Sequence, residues 1–270
     1  VAELILRAPA KLNLILRVGP RRPDGYHPLR SLMVALDAPQ DTVRARRAPA
    51  RSVECAEAPG ERNLAWAALS ALERAVGRAL PLAVEIAKEI PAQAGLGGGS
   101  SDAAAVLQAA NRLYGCDLDH DALEEVATGV GSDVPFFVRG GTQWARGRGE
   151  LLEPAPAPAL HVVVVDSGLR LATGEVYARF DLLPPPKRPA EGPYNDLWPA
   201  ARACEPRLAE VADDIAAAGA DEVLLCGSGG AMAGLFAARS AAEVAAEALS
   251  PRHRCWVARP APASPGAGPG

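Results

Sequence analysis

The sequence predicts an α+β protein of two domains, and three observations carry that prediction. Short apolar strand patterns alternate with amphipathic helical runs, and several strands are neighbours in sequence, which suits packed layers of both kinds. A glycine-rich loop at residues 95–99 joins one strand to an Ala-rich helix. The stretch Pro154-Ala155-Pro156-Ala157-Pro158 cannot continue a helix or a central strand, so it marks the domain boundary. The expected division is an N-terminal domain over residues 1–153, a C-terminal domain over 154–258, and a disordered Pro/Ala/Gly/Ser tail over 259–270.

Taken in order, residues 3–8 and 12–18 read as strands around a break at Pro9-Ala10-Lys11. A turn-rich segment, Gly19 to Gly25, leads to a strand from Leu29 to Leu36, with further strands at 42–46 and 52–55. Asn63 can cap a helix whose apolar residues keep helical spacing through Val76. A strand from Leu82 to Ile86, the glycine loop and a helix from about Ser101 to Leu113 follow, then a helix at 121–128. Residues 134–152 alternate apolar runs with glycines and suggest a hairpin. Beyond the prolines come a buried-type strand at His161–Val165 and helices near 173–180 and 205–218. Strands at 222–226 and 231–237, a helix at 240–249 and a strand at 254–258 close the domain.

Composition excludes several classes. A net charge of −4 with no basic stripe argues against nucleic acid as a partner. The five cysteines are odd in number and never paired as C-x-x-C, which fits reduced thiols in a cytoplasmic protein. No apolar leader and no run long enough for a membrane span is present in the sequence, so no membrane partner is expected.

The chemistry concentrates in Pro91-Ala92-Gln93-Ala94-Gly95-Leu96-Gly97-Gly98-Gly99-Ser100-Ser101. Four glycines in five positions let backbone N–H groups approach an anion, and the helix that follows points free N–H donors and a partial positive charge at it. A Walker loop needs Lys and then Ser or Thr after the last glycine, and Ser100-Ser101 stand there instead. A dinucleotide fingerprint needs glycine where Ser100 stands. A plain strand-to-helix turn needs one or two glycines, not four. Phosphate binding is the remaining reading.

That loop resembles the second motif of the GHMP kinases. Residues 8–14, APAKLNL, resemble the family's first motif, and residues 224–236, LLCGSGGAMAGLF, its third. The resemblance implies a two-domain fold, the N-terminal part like domain 2 of ribosomal protein S5 and the C-terminal part ferredoxin-like. It implies ATP and Mg²⁺ as cofactors. RPDGYH at 22–27, GSDVPFF at 131–137, ARGRGE at 145–150, LATGEVY at 171–177 and NDL at 195–197 resemble the branch that acts on cytidine diphosphate-linked methylerythritol. The implied activity is phosphorylation of that substrate's 2-hydroxyl. Phosphorylation of homoserine or mevalonate, or non-catalytic nucleotide binding, are the alternatives.

Carried over by motif, Asp133 is the expected general base and Lys11 its cationic partner. Asn13 and Thr173 are expected at the substrate. Tyr26 and Tyr177 would face the base, and His27 would hydrogen-bond its edge. Asn63 and Lys88 would flank adenine. Gly227, Ser228 and Gly229 would approach the phosphates from the second domain. The metal ligand is not assigned by the sequence, with Ser101 and Asp102 as candidates, and Asn195-Asp196 would hold the wall of the site.

Overall fold

The structure is a computed structural model and describes residues 2–263. Its spine is a long antiparallel pair, β1 (Glu3–Val18) and β2 (Leu29–Arg47). The break expected at Pro9-Ala10-Lys11 is a register shift inside one continuous strand, the pairing passing from Pro9↔Gln40 to Lys11↔Ala35. Proline lacks the ladder's N–H but its φ is compatible with extended backbone, so β1 continues through it, and the extra residues of the shift, 36–39, lie in β2. Along β1, Lys11 and Asn13 share one face while Ala10, Leu12 and Leu14 pack on the other.

The remaining elements of the first half are β3 (Ser52–Cys55), α1 (Leu64–Val76), β4 (Leu82–Ala87), α2 (Gly98–Tyr114) and α3 (His120–Thr128). After them come α4 (Val134–Arg139), β5 (Thr142–Gly147) and β6 (Leu151–Pro154). The sheet runs β3-β4-β2-β1, with β5 pairing the first part of β2 and β6 pairing β5. Asn63 caps α1, its Oδ1 accepting from Ala65 N at 2.9 Å, and Gly77 at φ 68° ends it. Residues 134–139 are helical, not the first arm of a hairpin. VPFFV, from Val134 to Val138, is apolar throughout, a pattern that cannot separate a buried helix from a strand. Here Pro135 occupies the first turn, where no N–H is needed, and the residues from Val134 to Val138 are all buried.

The second half contains β7 (His161–Asp166), α5 (Thr173–Phe180), β8 (Tyr194–Asn195), α6 (Trp198–Cys204) and α7 (Leu208–Ala217). It continues with β9 (Glu222–Leu225), β10 (Met232–Phe236), α8 (Arg239–Leu249) and β11 (Arg254–Ala258). The helix expected at 205–218 begins later because Glu205 and Pro206 separate α6 from α7. Strands β11-β7-β10-β9 form an antiparallel sheet. In β7, Val163 and Val165 pack on the helices of this half, while Val162 and Val164 pack against Leu12, Leu14, Leu36 and Leu96 of the first. A strand apolar on both faces is what places one sheet against the other. Each such side chain stabilises the joint by about 1.5–3 kcal/mol.

The halves also interlace. β8 pairs in parallel with β1, so a segment of the second half edges the first sheet. Residues 259–263 are not a free tail. Asp37 N donates to Arg259 O at 3.0 Å, Ala261 N donates to Ala35 O at 2.7 Å, and Ala263 bridges Gly140. Apolar contact and an unfilled strand edge beside Leu36 and Gly140 hold a segment whose composition alone suggests disorder; the rest of that tail, 264–270, lies outside the described residues. Among the described residues no helix is long and apolar enough to cross a membrane.

Candidate active site

The two glycine loops meet back to back. Gly95, at φ 79°, has Cys226 O 1.8 Å from where a Cβ would stand, and a Cβ on Gly229 would meet Gly95 N at 2.0 Å. No residue but glycine fits either place. Backbone hydrogen bonds seal the contact: Ala231 N donates to Ala94 O at 3.2 Å, Gly230 N to Gln93 O at 3.4 Å and Lys11 N to Leu96 O at 3.0 Å. The role expected of Gly229 therefore changes, since its bareness serves loop-to-loop packing. Gly227 and Ser228 do reach the cleft.

The loop borders a cavity of about 410 Å³ lined by the stretch from Pro91 to Ser100 together with Asn63, Leu64, Lys88 and Asp102. Gly97 at φ 76° precedes α2, whose first N–H groups open into this space. Ser101 does not face it. Its hydroxyl is buried without a partner and borders a different cavity with Gln40, Gln108 and Phe137, and its N–H is bonded to Gly97 O at 2.9 Å. One helical step of about 100° turns its side chain away and leaves Ser100 facing the cleft. Asn63 lines the cavity, but both ends of its amide are occupied, by Ala65 N and Ala58 O.

Beneath the loop lies a buried charge cluster. Lys88 Nζ donates to Asp41 and, at 2.7 Å, to Asp102. Asp41 is fully buried and also accepts from Glu89 N at 2.6 Å and Ile90 N at 2.8 Å. Burial, helped by the Asp41 charge, pushes Asp102 up to about 7 against the pull of Lys88. Burial opposes the Lys88 charge, but the two carboxylates outweigh it and hold the ammonium protonated.

A second cavity of about 560 Å³ adjoins the first and is lined by Asn13, Tyr26, His27, Tyr177 and Asp181. Lys11, Ser100, Asp133, Thr173 and Ser228 border both. Lys11 Nζ donates to Asn13 Oδ1 at 2.5 Å, and Asn13 Nδ2 donates to Ser31 Oγ at 2.7 Å. Burial lowers the Lys11 pKa, and the nearby Asp133 carboxylate partly restores it. Thr173 Oγ1 and Ser228 Oγ share a hydrogen bond of 2.9 Å across the cleft. Burial beside Asp133 raises Tyr177 to about 12. Asn195 Nδ2 holds the second loop through Leu225 O and Gly227 O, and Asp196 accepts from Val18 N. These two residues brace the wall.

Three residues here escaped sequence reasoning. Arg148 lies over the Tyr26 ring at 3.9 Å, covering a face the sequence reserves for a base, and among the described residues it pairs with no carboxylate. Asp41 and Asp181 each act through a distant partner. The turn carrying Arg148 was visible as GRGE: Gly147 and Gly149 take positive φ, and Glu150 accepts from Arg148 N. The purpose of that turn was not visible.

Two facing glycine loops over a cleft, with a lysine and an aspartate where two cavities join, define a small-molecule kinase. Residues 63–141 match the family model of the GHMP kinases N-terminal domain. A homoserine kinase from Cytophaga hutchinsonii, 18% identical, shares the fold with a TM-score of 0.74 over 98% of this chain and 96% of that one. A crystal structure of 4-(cytidine 5′-diphospho)-2C-methyl-D-erythritol kinase superposes with a TM-score of 0.82 at 37% identity, covering 94% of this chain and 98% of that one. A 4-diphosphocytidyl-2-C-methyl-D-erythritol kinase from an Anaeromyxobacter species is 41% identical over 90% of this chain and 85% of its own length. The chain belongs to the 4-diphosphocytidyl-2-C-methyl-D-erythritol kinase family.

Proposed function

We propose that this chain transfers the γ-phosphoryl group of ATP to the 2-hydroxyl of 4-diphosphocytidyl-2-C-methyl-D-erythritol, giving the 2-phosphate and ADP. The observation that carries this reading is the joining of the two cavities at Lys11, Ser100, Asp133, Thr173 and Ser228. The nucleotide lies along the glycine loop with its γ-phosphate at that junction, and the alcohol enters from the side of Tyr26 and His27. Asp133 accepts the hydroxyl proton as the oxygen attacks. Lys11, held by Asn13, offsets the charge that spreads over the transferring group. Asn63 and Lys88 border the adenine side. Arg21 and Arg148 add positive charge where a diphosphate would lie.

Mg²⁺ accompanies the nucleotide in this reading. No group of three metal-binding side chains exists among the described residues, which suits an ion held by phosphates, water and one or two carboxylates. Asp102 borders the loop cavity, and its Oδ1 is buried without a hydrogen-bond partner. The residues fit, and Asp102 would hold the ion. When bound, it neutralises β- and γ-phosphate charge.

The test is ADP release from Mg-ATP with the cytidyl substrate, homoserine and mevalonate offered separately. Turnover appears with the cytidyl compound alone, and Asp133→Asn lowers kcat by about 10³-fold with little change in either KM. Turnover of homoserine or mevalonate instead sinks the substrate assignment. ATP binding without turnover of any alcohol sinks catalysis.

A further inference from the structure

His27 is gripped by the far end of one helix. Its Nε2 lies 2.7 Å from Asp181 Oδ1. The Tyr177 ring sits against it at 5.2 Å between centroids and Phe180 meets it edge-on at 6.0 Å. Tyr177, Phe180 and Asp181 stand at i, i+3 and i+4, so they share one face at the C-terminal end of α5. The His27 side chain is only 5% exposed, and turning its ring over would replace Nε2 at the carboxylate with a C–H.

An ionised carboxylate can only accept, so the hydrogen of this bond belongs to His27 Nε2. A neutral imidazole has one ring hydrogen, which leaves Nδ1 a bare acceptor. Nδ1 has no hydrogen-bond partner among the described residues, yet it is not among the sealed, unsatisfied polar atoms, and His27 lines the 560 Å³ cavity. The second oxygen of Asp181 lies 3.9 Å from Arg21 Nη1, so the loop that carries His27 also supplies a cation that anchors the carboxylate.

We propose that Asp181 is a positioning residue that sets base specificity: by fixing His27 with hydrogen on Nε2, it presents Nδ1 as an acceptor to the exocyclic amine of cytosine. Uracil offers a carbonyl oxygen at that place, and two lone pairs face each other. The proposal rests on the reading that the cytidyl group occupies this cavity. Asp181 touches neither the phosphates nor the attacking hydroxyl in this scheme, so its effect belongs in substrate affinity.

The test is calorimetric binding of CDP and UDP at about pH 8 to the wild type, Asp181→Ala and Asp181→Asn, with KM and kcat for the full substrate beside it. The wild type favours CDP. Asp181→Ala frees the ring to take either tautomer, so CDP binding weakens about tenfold while UDP binding holds, and the preference narrows. Asp181→Asn can donate to Nε2 and allows hydrogen on Nδ1, so the preference narrows as far or inverts. KM for ATP and kcat stay within about twofold in both. In a His27→Ala background, Asp181→Asn leaves the CDP/UDP ratio unchanged. Equal losses for CDP and UDP in both variants, with the ratio kept, would make Asp181 a structural residue and overturn the proposal. A wild type that binds CDP and UDP equally would fail one step earlier, because the cavity would then not read a cytosine at all.

Discussion

The two cavities share a floor but are built from different materials. The cavity along the glycine loop is mostly backbone: glycines whose missing Cβ atoms let two loops interlock, and a helix N-terminus. The cavity of Tyr26 and His27 is mostly side chains, brought by β1, the 19–28 loop, the β5–β6 turn and α5. A wall of backbone tolerates no added atom, whereas a wall of side chains tolerates losses and answers with altered affinity. The first side should break outright, and the second should be tunable.

The largest expected effect is at Gly95. Gly95→Ala places a methyl 1.8 Å from Cys226 O at φ 79°, combining overpacking with a left-handed alanine, at a cost of about 3 kcal/mol or more. Denaturant unfolding should show a lowered midpoint. Gly99→Ala is the contrast, since its Cβ would meet nothing nearer than Leu64 Cδ1 at 3.6 Å within a helix. It should add about 0.5–1 kcal/mol of stability while raising KM for ATP, because it still borders the nucleotide cavity. Comparable destabilisation by both would mean that interlocking does not set the loop's rigidity.

An intermediate effect is expected on the tunable side. Arg148→Ala should raise KM for the cytidyl substrate about tenfold and leave KM for ATP alone, because its guanidinium borders one cavity and not the other. An equal rise in both constants would erase the distinction between the two sides.

The smallest effect concerns the charges under the loop. A carboxyl that binds its proton more tightly when folded contributes stability that is complete below the usual carboxylate range and lost as pH rises through its folded value, here about 7. Wild type should therefore lose ground to Asp102→Asn between about pH 4 and pH 7, by a few degrees in Tm. A difference in Tm that does not move with pH would show that Lys88 alone balances the cluster.

The same contrast decides what could be read from the chain. Gly95 to Gly99 sit in a short contiguous motif whose anion-binding chemistry is local, while Lys11 and Asp133 were legible only through the family motifs that contain them. Asp41 and Asp181 are isolated charges whose partners are far along the chain, His27 and Asp181 being 154 residues apart, and Arg148 sits in a visible turn but meets Tyr26 far along the chain. No local pattern distinguishes them from surface residues. Element types were legible where a period was clean, as in α1, and misled where it was not. VPFFVR carries no period at all, and Pro9 looks like a stop until its neighbours in β2 are known. Ser101 shows the finer limit: adjacent serines at a helix start look equivalent, and only the helical turn separates them.

The seam formed by Arg259 to Ala263 has a consequence for how the chain is made. Ribosomes deliver residues in order, yet the edge beside Leu36 and Gly140 waits for residues 259–263 to emerge. Gly140 ends the helix that begins just after Asp133. The first half can collapse early, but the support behind its aspartate arrives only once synthesis has passed residue 263. Removing residues 259–263 therefore takes away the backing of the helix that follows Asp133.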